Sequence, residues 1–186
     1  MRQRRSLALL LIVLVGLGVG LTFGLRSPSG GPGVPRPLTS SVRAGDLRVS
    51  VPEGFYRYAI YGGHMVGTPA PVVGYVLTDF ALPAKVKADR LLARWSVPGD
   101  SGPPATRVAL MLAPGRTIGP ERLHLPLTVN QDWDHQRFNS GAIGSRFGFL
   151  RFHNADYQVM YWSGPAAPAN DRAAILRALE SIRPAR

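Results

Sequence analysis

Leu7 to Leu25 runs for nineteen residues without a charged side chain. As a helix it spans about 28 Å at 1.5 Å per residue, close to the ~30 Å hydrocarbon core of a bilayer. A cleaved export signal has a shorter apolar stretch, ~7 to 15 residues, closed by small residues in an A-x-A arrangement. Here the run is longer and leaves through Leu21-Thr22-Phe23-Gly24-Leu25-Arg26, without that arrangement. The segment therefore reads as an uncleaved transmembrane helix. Arg2, Arg4 and Arg5 precede it and a single Arg26 follows closely. The positive-inside tendency then leaves residues 1–6 as a short cytoplasmic tail and puts the rest outside the cell membrane, in a single-pass topology. A tail that short cannot hold a cytoplasmic signalling domain. Gly16, Gly20 and Gly24 fall at i, i+4 and i+8, a small-residue stripe along which two copies of the span could pack as a homodimer.

With the span assigned, composition takes on a different weight. The formal charge is +11 and the isoelectric point is near 11.2, values that invite a nucleic-acid reading. Six Arg and one Asp in residues 1–46 account for +5, and sixteen basic against ten acidic residues in 47–186 for +6. No Lys/Arg run appears in the second part, so the chain is read as having no nucleic-acid partner. Cysteine is absent, which excludes disulfides, thiolate metal sites, a cysteine nucleophile and a lipid-modified cysteine.

Residues 26–46 hold four Pro, four Gly and four Ser and almost no large apolar side chain, the composition of a linker. About 20 such residues at ~3.1 Å each would reach up to ~60 Å from the membrane. The remainder, 47–186, suits one extracytoplasmic domain. Leu47 to Val51 alternates as a half-buried strand does, and Pro52-Glu53-Gly54 breaks it. Phe55 to Tyr61, Val72 to Phe80, Thr106 to Ala113 and Leu123 to Val129 read as further strands. Residues 83–95 read as a helix, with strand as the competing assignment near Trp95. Arg146 to Phe152 and Tyr157 to Ser163 flank His153-Asn154-Ala155-Asp156 as a hairpin. Asn170 is placed to cap a closing amphipathic helix whose apolar stripe is Ile175, Leu176, Leu179 and Ile182, with Asp171 at its positive end. These elements predict an α+β fold: a single antiparallel sheet with a C-terminal amphipathic helix, behind the N-terminal transmembrane helix.

Val51-Pro52-Glu53-Gly54-Phe55 at the first turn resembles a segment of small exported, membrane-anchored proteins of high-GC bacteria. So does the run from Tyr161-Trp162-Ser163-Gly164-Pro165 through Asp171-Arg172-Ala173-Ala174-Ile175-Leu176 to Ser181-Ile182-Arg183-Pro184. The domain's start and closing helix are also similar to PsbP-like domains. The resemblance implies an α+β sandwich used as a binding or accessory module, and it carries over no catalytic residue.

Asn130-Gln131-Asp132-Trp133-Asp134-His135 is the polar cluster with chemical potential. It opens like a calcium loop, yet His135 stands where the sharp-turn glycine belongs and Gly141 where the bidentate glutamate belongs. On a strand, Asp132 and Asp134 would share a face with Cα atoms ~6.6 Å apart, a separation open to a glycosidase pair. That chemistry needs carboxylates on opposing sides of a sugar, whereas neighbours on one strand point the same way. His64, His124, His135 and His153 show no metal-ligand spacing, and neither a G-x-S-x-G elbow nor a phosphate loop is present. No cofactor and no metal are therefore expected. The aromatic residues, Tyr56, Tyr58, Tyr61, Phe147 and Phe149 among them, are expected in the core or in cross-strand pairs. The leading expectation is a non-enzymatic membrane-anchored module that binds or assembles with an envelope protein or polymer. The alternative is an envelope-polymer hydrolase using Asp132, Asp134 and His135, favoured if these side chains converge in a cleft. A third reading has the spread arginines holding anionic lipid or wall polymer.

Overall fold

The computed structural model describes residues 36–62, 70–82, 104–115, 123–136 and 145–186. The span at 7–25, with Gly16, Gly20 and Gly24, and the helix expected at 83–95 lie outside these residues. No helix among the described residues is long and apolar enough to cross a membrane.

The chain forms β1 (Leu38–Ala44), β2 (Leu47–Pro52), β3 (Tyr56–Tyr61), β4 (Val72–Thr78), β5 (Val108–Pro114), β6 (Asp134–Gln136), β7 (Ser145–Phe152) and β8 (Ala155–Ser163). Helix α1 (Ala169–Glu180) and the short β9 (Arg183–Pro184) close it. The strands make two antiparallel sheets, one of three strands in the order β1-β2-β9 and one of six in the order β3-β4-β5-β8-β7-β6.

This corrects the expected fold class. The described structure is mostly β with two sheets and one short helix, not an α+β single sheet. The second sheet escaped because its outer strands stand in segments that look like connections. β1 lies inside the stretch read as linker: its first four residues are exposed, and only Val42 and Ala44 turn inward. Gly45-Asp46 joins β1 to β2, with Gly45 at φ +58, a left-handed turn position that glycine adopts at no steric cost. β9 follows the helix and pairs Leu47 with Pro184 and Arg48 with Arg183.

Two smaller corrections concern local chemistry. Leu123 to Val129 is not a strand; only an isolated bridge from Leu123 to Leu150 forms. Pro126 has no N–H to give a ladder, and the His124 and Pro126 carbonyls both accept from Gln131 Nε2, at 2.9 and 2.8 Å. Helix α1 starts after Pro168, so Asn170 lies inside the first turn and no side chain caps the end. The hairpin of β7 and β8 stands where expected, with Phe152 opposite Ala155 across His153-Asn154.

One face of the six-stranded sheet is covered by the small sheet and by α1. Val42, Ala44, Leu47, Val49 and Val51 pack there with Leu77, Leu110, Leu112, Val159, Ile175 and Leu179. The other face carries a second buried cluster built on Ile60, Val76, Met111, Met160 and Trp162. Burial on both faces explains why β5 is apolar without alternation, as a central strand must be. The β1–β2 turn is fixed to the large sheet by Tyr157, whose hydroxyl accepts from the Asp46 N–H at 2.8 Å.

Candidate functional site

The polar cluster at 130–135 is built mostly from bonds that hold a loop. Gln131 spans the turn below it, accepting from the His124 N–H at 3.3 Å and donating to the two carbonyls already named. Trp133 is buried and its indole N–H donates to the Thr128 carbonyl at 2.8 Å. Arg146, from β7, donates to the Val129 carbonyl. Leu123, Leu127 and Trp133 are buried in the same core cluster as Ile175 and Leu179 of α1. Asp132 and Asp134 flank Trp133 and are both exposed. The side chain of His135 and the whole of His64 lie outside the described residues. Among the described residues no group of three His, Cys, Asp or Glu could hold a metal ion.

A second charged constellation, absent from the sequence reading, joins Arg36 to the start of α1. Arg36 Nε donates to Asp171 Oδ1 at 2.5 Å, joining residues 135 positions apart. The Asp171 side chain is only 5% exposed and that of Arg36 23%, so the pair is largely withdrawn from water. Arg177, two turns further along α1, donates to the Arg36 carbonyl. The Arg36 guanidinium also lies over the Phe55 ring, 5.9 Å from its centroid, and Pro37 accepts from the Glu53 N–H at 2.8 Å. Four separate contacts thus fix two consecutive residues. Asp171 has a further reason to sit there, since the first turn of a helix favours negative charge.

Asp79, at the end of β4, belongs to the same neighbourhood. Its Oδ1 accepts from the Val108 N–H at 2.9 Å and its Oδ2 lies 3.6 Å from Arg107, while its side chain is 2% exposed. Burial pushes its carboxyl above the ordinary value near 3.8; the Val108 N–H and Arg107 oppose the shift, and the Asp171 charge adds to it. An aspartate raised on folding binds more protons folded than unfolded between the two pKa values. Its contribution to stability therefore falls as pH rises through that window. Replacing Asp79 by Asn keeps an acceptor for Val108 and removes the charge. The stability of Asp79→Asn relative to the native chain is expected to improve as pH rises above the ordinary value near 3.8 and to level off once the folded carboxyl is ionised, as read by urea unfolding. A flat or falling difference would mean that Arg107 more than offsets the burial.

The aromatic residues divide. Phe147 and Phe149 meet edge to face at 4.9 Å, and Tyr58, half-buried, accepts from the Leu82 N–H at 2.8 Å. Tyr56 stacks on Tyr58 at 6.2 Å yet is 48% exposed, and Tyr61 is 62% exposed. Both exposed rings lie on β3, the edge strand of the large sheet. Among the described residues β3 is paired on one side only, and a strand so placed offers its rings fewer neighbours. No protein-family model, curated protein or solved structure matches the chain.

Proposed function

We propose that the chain is a membrane-anchored extracytoplasmic module that binds or assembles with another envelope component. Residues 7–25 act as its anchor and its N-terminus is cytoplasmic. The observation that carries this reading is the uncharged nineteen-residue run at 7–25 behind Arg2, Arg4 and Arg5, long enough as a helix to cross a bilayer. At Arg36 the chain is already tied to α1 and to Phe55. Because β1 belongs to the domain, residues 26–35 are what is left of the expected linker between the anchor and Arg36. At ~3.1 Å per residue those ten residues reach about 31 Å, half the span that the composition implied. Tyr56 and Tyr61 on an edge strand add the kind of exposed aromatic surface that interfaces favour.

The topology is tested by reporter fusions after Pro35, just before the domain. An alkaline phosphatase fusion is expected to be active in cells and a cytoplasmic fluorescent reporter dark. The reverse pattern contradicts the orientation, and extraction of the full chain by alkaline carbonate contradicts the anchor.

A further inference from the structure

The registers of the small sheet place three arginines side by side. Arg43 of β1 stands opposite Arg48 of β2, and Arg48 stands opposite Arg183 of β9. Residues directly opposite in an antiparallel pair project to the same face, with Cα atoms about 4.5 to 5.5 Å apart. Val42, Ala44, Leu47, Val49 and Val51 take the inner face, so the arginine row lies on the outer one, with Ser41 opposite Ser50 in the next row. Like charges directly opposite are destabilising. Nothing in the described structure offsets them: none of the three arginines is in an ion pair, and Nε of Arg48 is buried without a hydrogen-bond partner. Arg43 spends its Nε on the Gly45 carbonyl at 2.8 Å. Arg186 extends the basic end, and the nearest acid along β1 and β2 is Asp46 at the turn, exposed and also outside any ion pair.

A row of guanidinium groups without carboxylates suits phosphate oxygens, which arginine engages in bidentate fashion. Its place along the chain selects the source of that phosphate. The row lies seven residues along from Arg36, about 23 Å at strand rise, and the ten residues between the expected anchor and Arg36 can reach at most about 31 Å at ~3.1 Å each. The outer face can therefore lie flat on the bilayer. We propose that the outer face of the β1-β2-β9 sheet docks through Arg43, Arg48 and Arg183 on anionic phospholipid headgroups of the membrane in which the chain is anchored. The proposal rests on the anchor reading given above.

The native chain has no cysteine, so Ser41→Cys gives a single labelling site beside the row. The labelled full chain is reconstituted in vesicles of phosphatidylcholine alone or with about one third phosphatidylglycerol, and energy transfer to a headgroup dye is read. Transfer is expected to rise with phosphatidylglycerol and to fall equally in chloride and phosphate of matched high ionic strength. An arginine near an anionic surface contributes about fivefold, so Arg43→Gln with Arg183→Gln should lower the docked-to-undocked ratio about 25-fold. Its thermal midpoint should hold or rise as like charges are removed. Transfer that ignores lipid charge, or that survives the double substitution, overturns the proposal; loss in phosphate alone assigns the row to free phosphate and overturns the lipid assignment. Should the double variant unfold, the lipid and salt dependence of the otherwise native chain still decides. Release of the chain by alkaline carbonate would instead sink the anchor reading, and flotation of the released chain with the two vesicle types would then decide the row by itself.

Discussion

Asp171→Ala is expected to destabilise the domain by about 3 kcal/mol, the lower end of what breaking a buried ion pair costs. The lower end applies because the Arg36 side chain is 23% exposed and water can reach the guanidinium once its partner is gone. One term adds to the loss and one opposes it. The helix gives up a first-turn carboxylate, worth a further few tenths to about 1 kcal/mol. Against this, Asp79 is relieved of a neighbouring negative charge. The thermal midpoint should fall by roughly 10 °C. Arg36→Ala should cost at least as much, because it strands a carboxylate whose side chain is only 5% exposed and removes the contact with the Phe55 ring, the helix N-terminus offsetting part of the loss. A double-mutant cycle over the two positions should return a coupling of at least about 1 kcal/mol. A coupling near zero would mean that the pair is incidental to the fold.

The second large effect is steric. A Cβ added at Gly164 would stand 2.0 Å from the Ala105 carbonyl oxygen and 2.4 Å from its carbon. Two bonds hold the chains at that distance, Gly164 N–H to the Arg107 carbonyl and Ala166 N–H to the Ala105 carbonyl, both at 2.9 Å. Because the obstacle is backbone, no side chain can swing aside, and the two segments must part. Gly164→Ala is therefore expected to cost about 3 kcal/mol or more, at the top of the range for overpacking. Arg107 sits in the displaced segment and is the cation beside Asp79, so the variant should also raise the Asp79 carboxyl further. Denaturant unfolding gives the first result, and carboxyl titration followed by NMR the second. Native stability in Gly164→Ala would show that the 104–107 segment yields freely.

Much of the local structure was legible because its signals are short in range. His153-Asn154 between two alternating runs marks the β7–β8 hairpin, and the stripe of Ile175 and Leu179 marks α1. The second sheet was obscured by β1, whose Ser, Thr and Arg content matches a tether and whose inward set is only Val42 and Ala44. Gly45-Asp46 was the available signal: a two-residue turn of that type between short alternating runs is a hairpin pattern. The cluster at 130–135 was legible as a polar loop, but the bonds that hold it were not: Gln131 and Trp133 donate to backbone carbonyls that no spacing rule could foresee. The Arg36–Asp171 pair and the Arg43–Arg48–Arg183 row arise from tertiary pairing and register alone. Asp171 looked like a helix-end charge, and its partner lay in the stretch read as free linker.

Whether β1 belongs to the domain and Arg36 is clamped to α1 is the point on which the account turns, because the length left to the linker and the arginine row both follow from it. Amide hydrogen exchange on the full chain in membranes, native and Asp171→Ala, tests it most directly. In the native chain the amides of β1 that pair with β2 should be protected to a degree comparable with β2 itself. In Asp171→Ala protection should drop first at the Arg36 end of β1. Exchange across residues 38–44 of the native chain as fast as in an unstructured peptide would contradict the account.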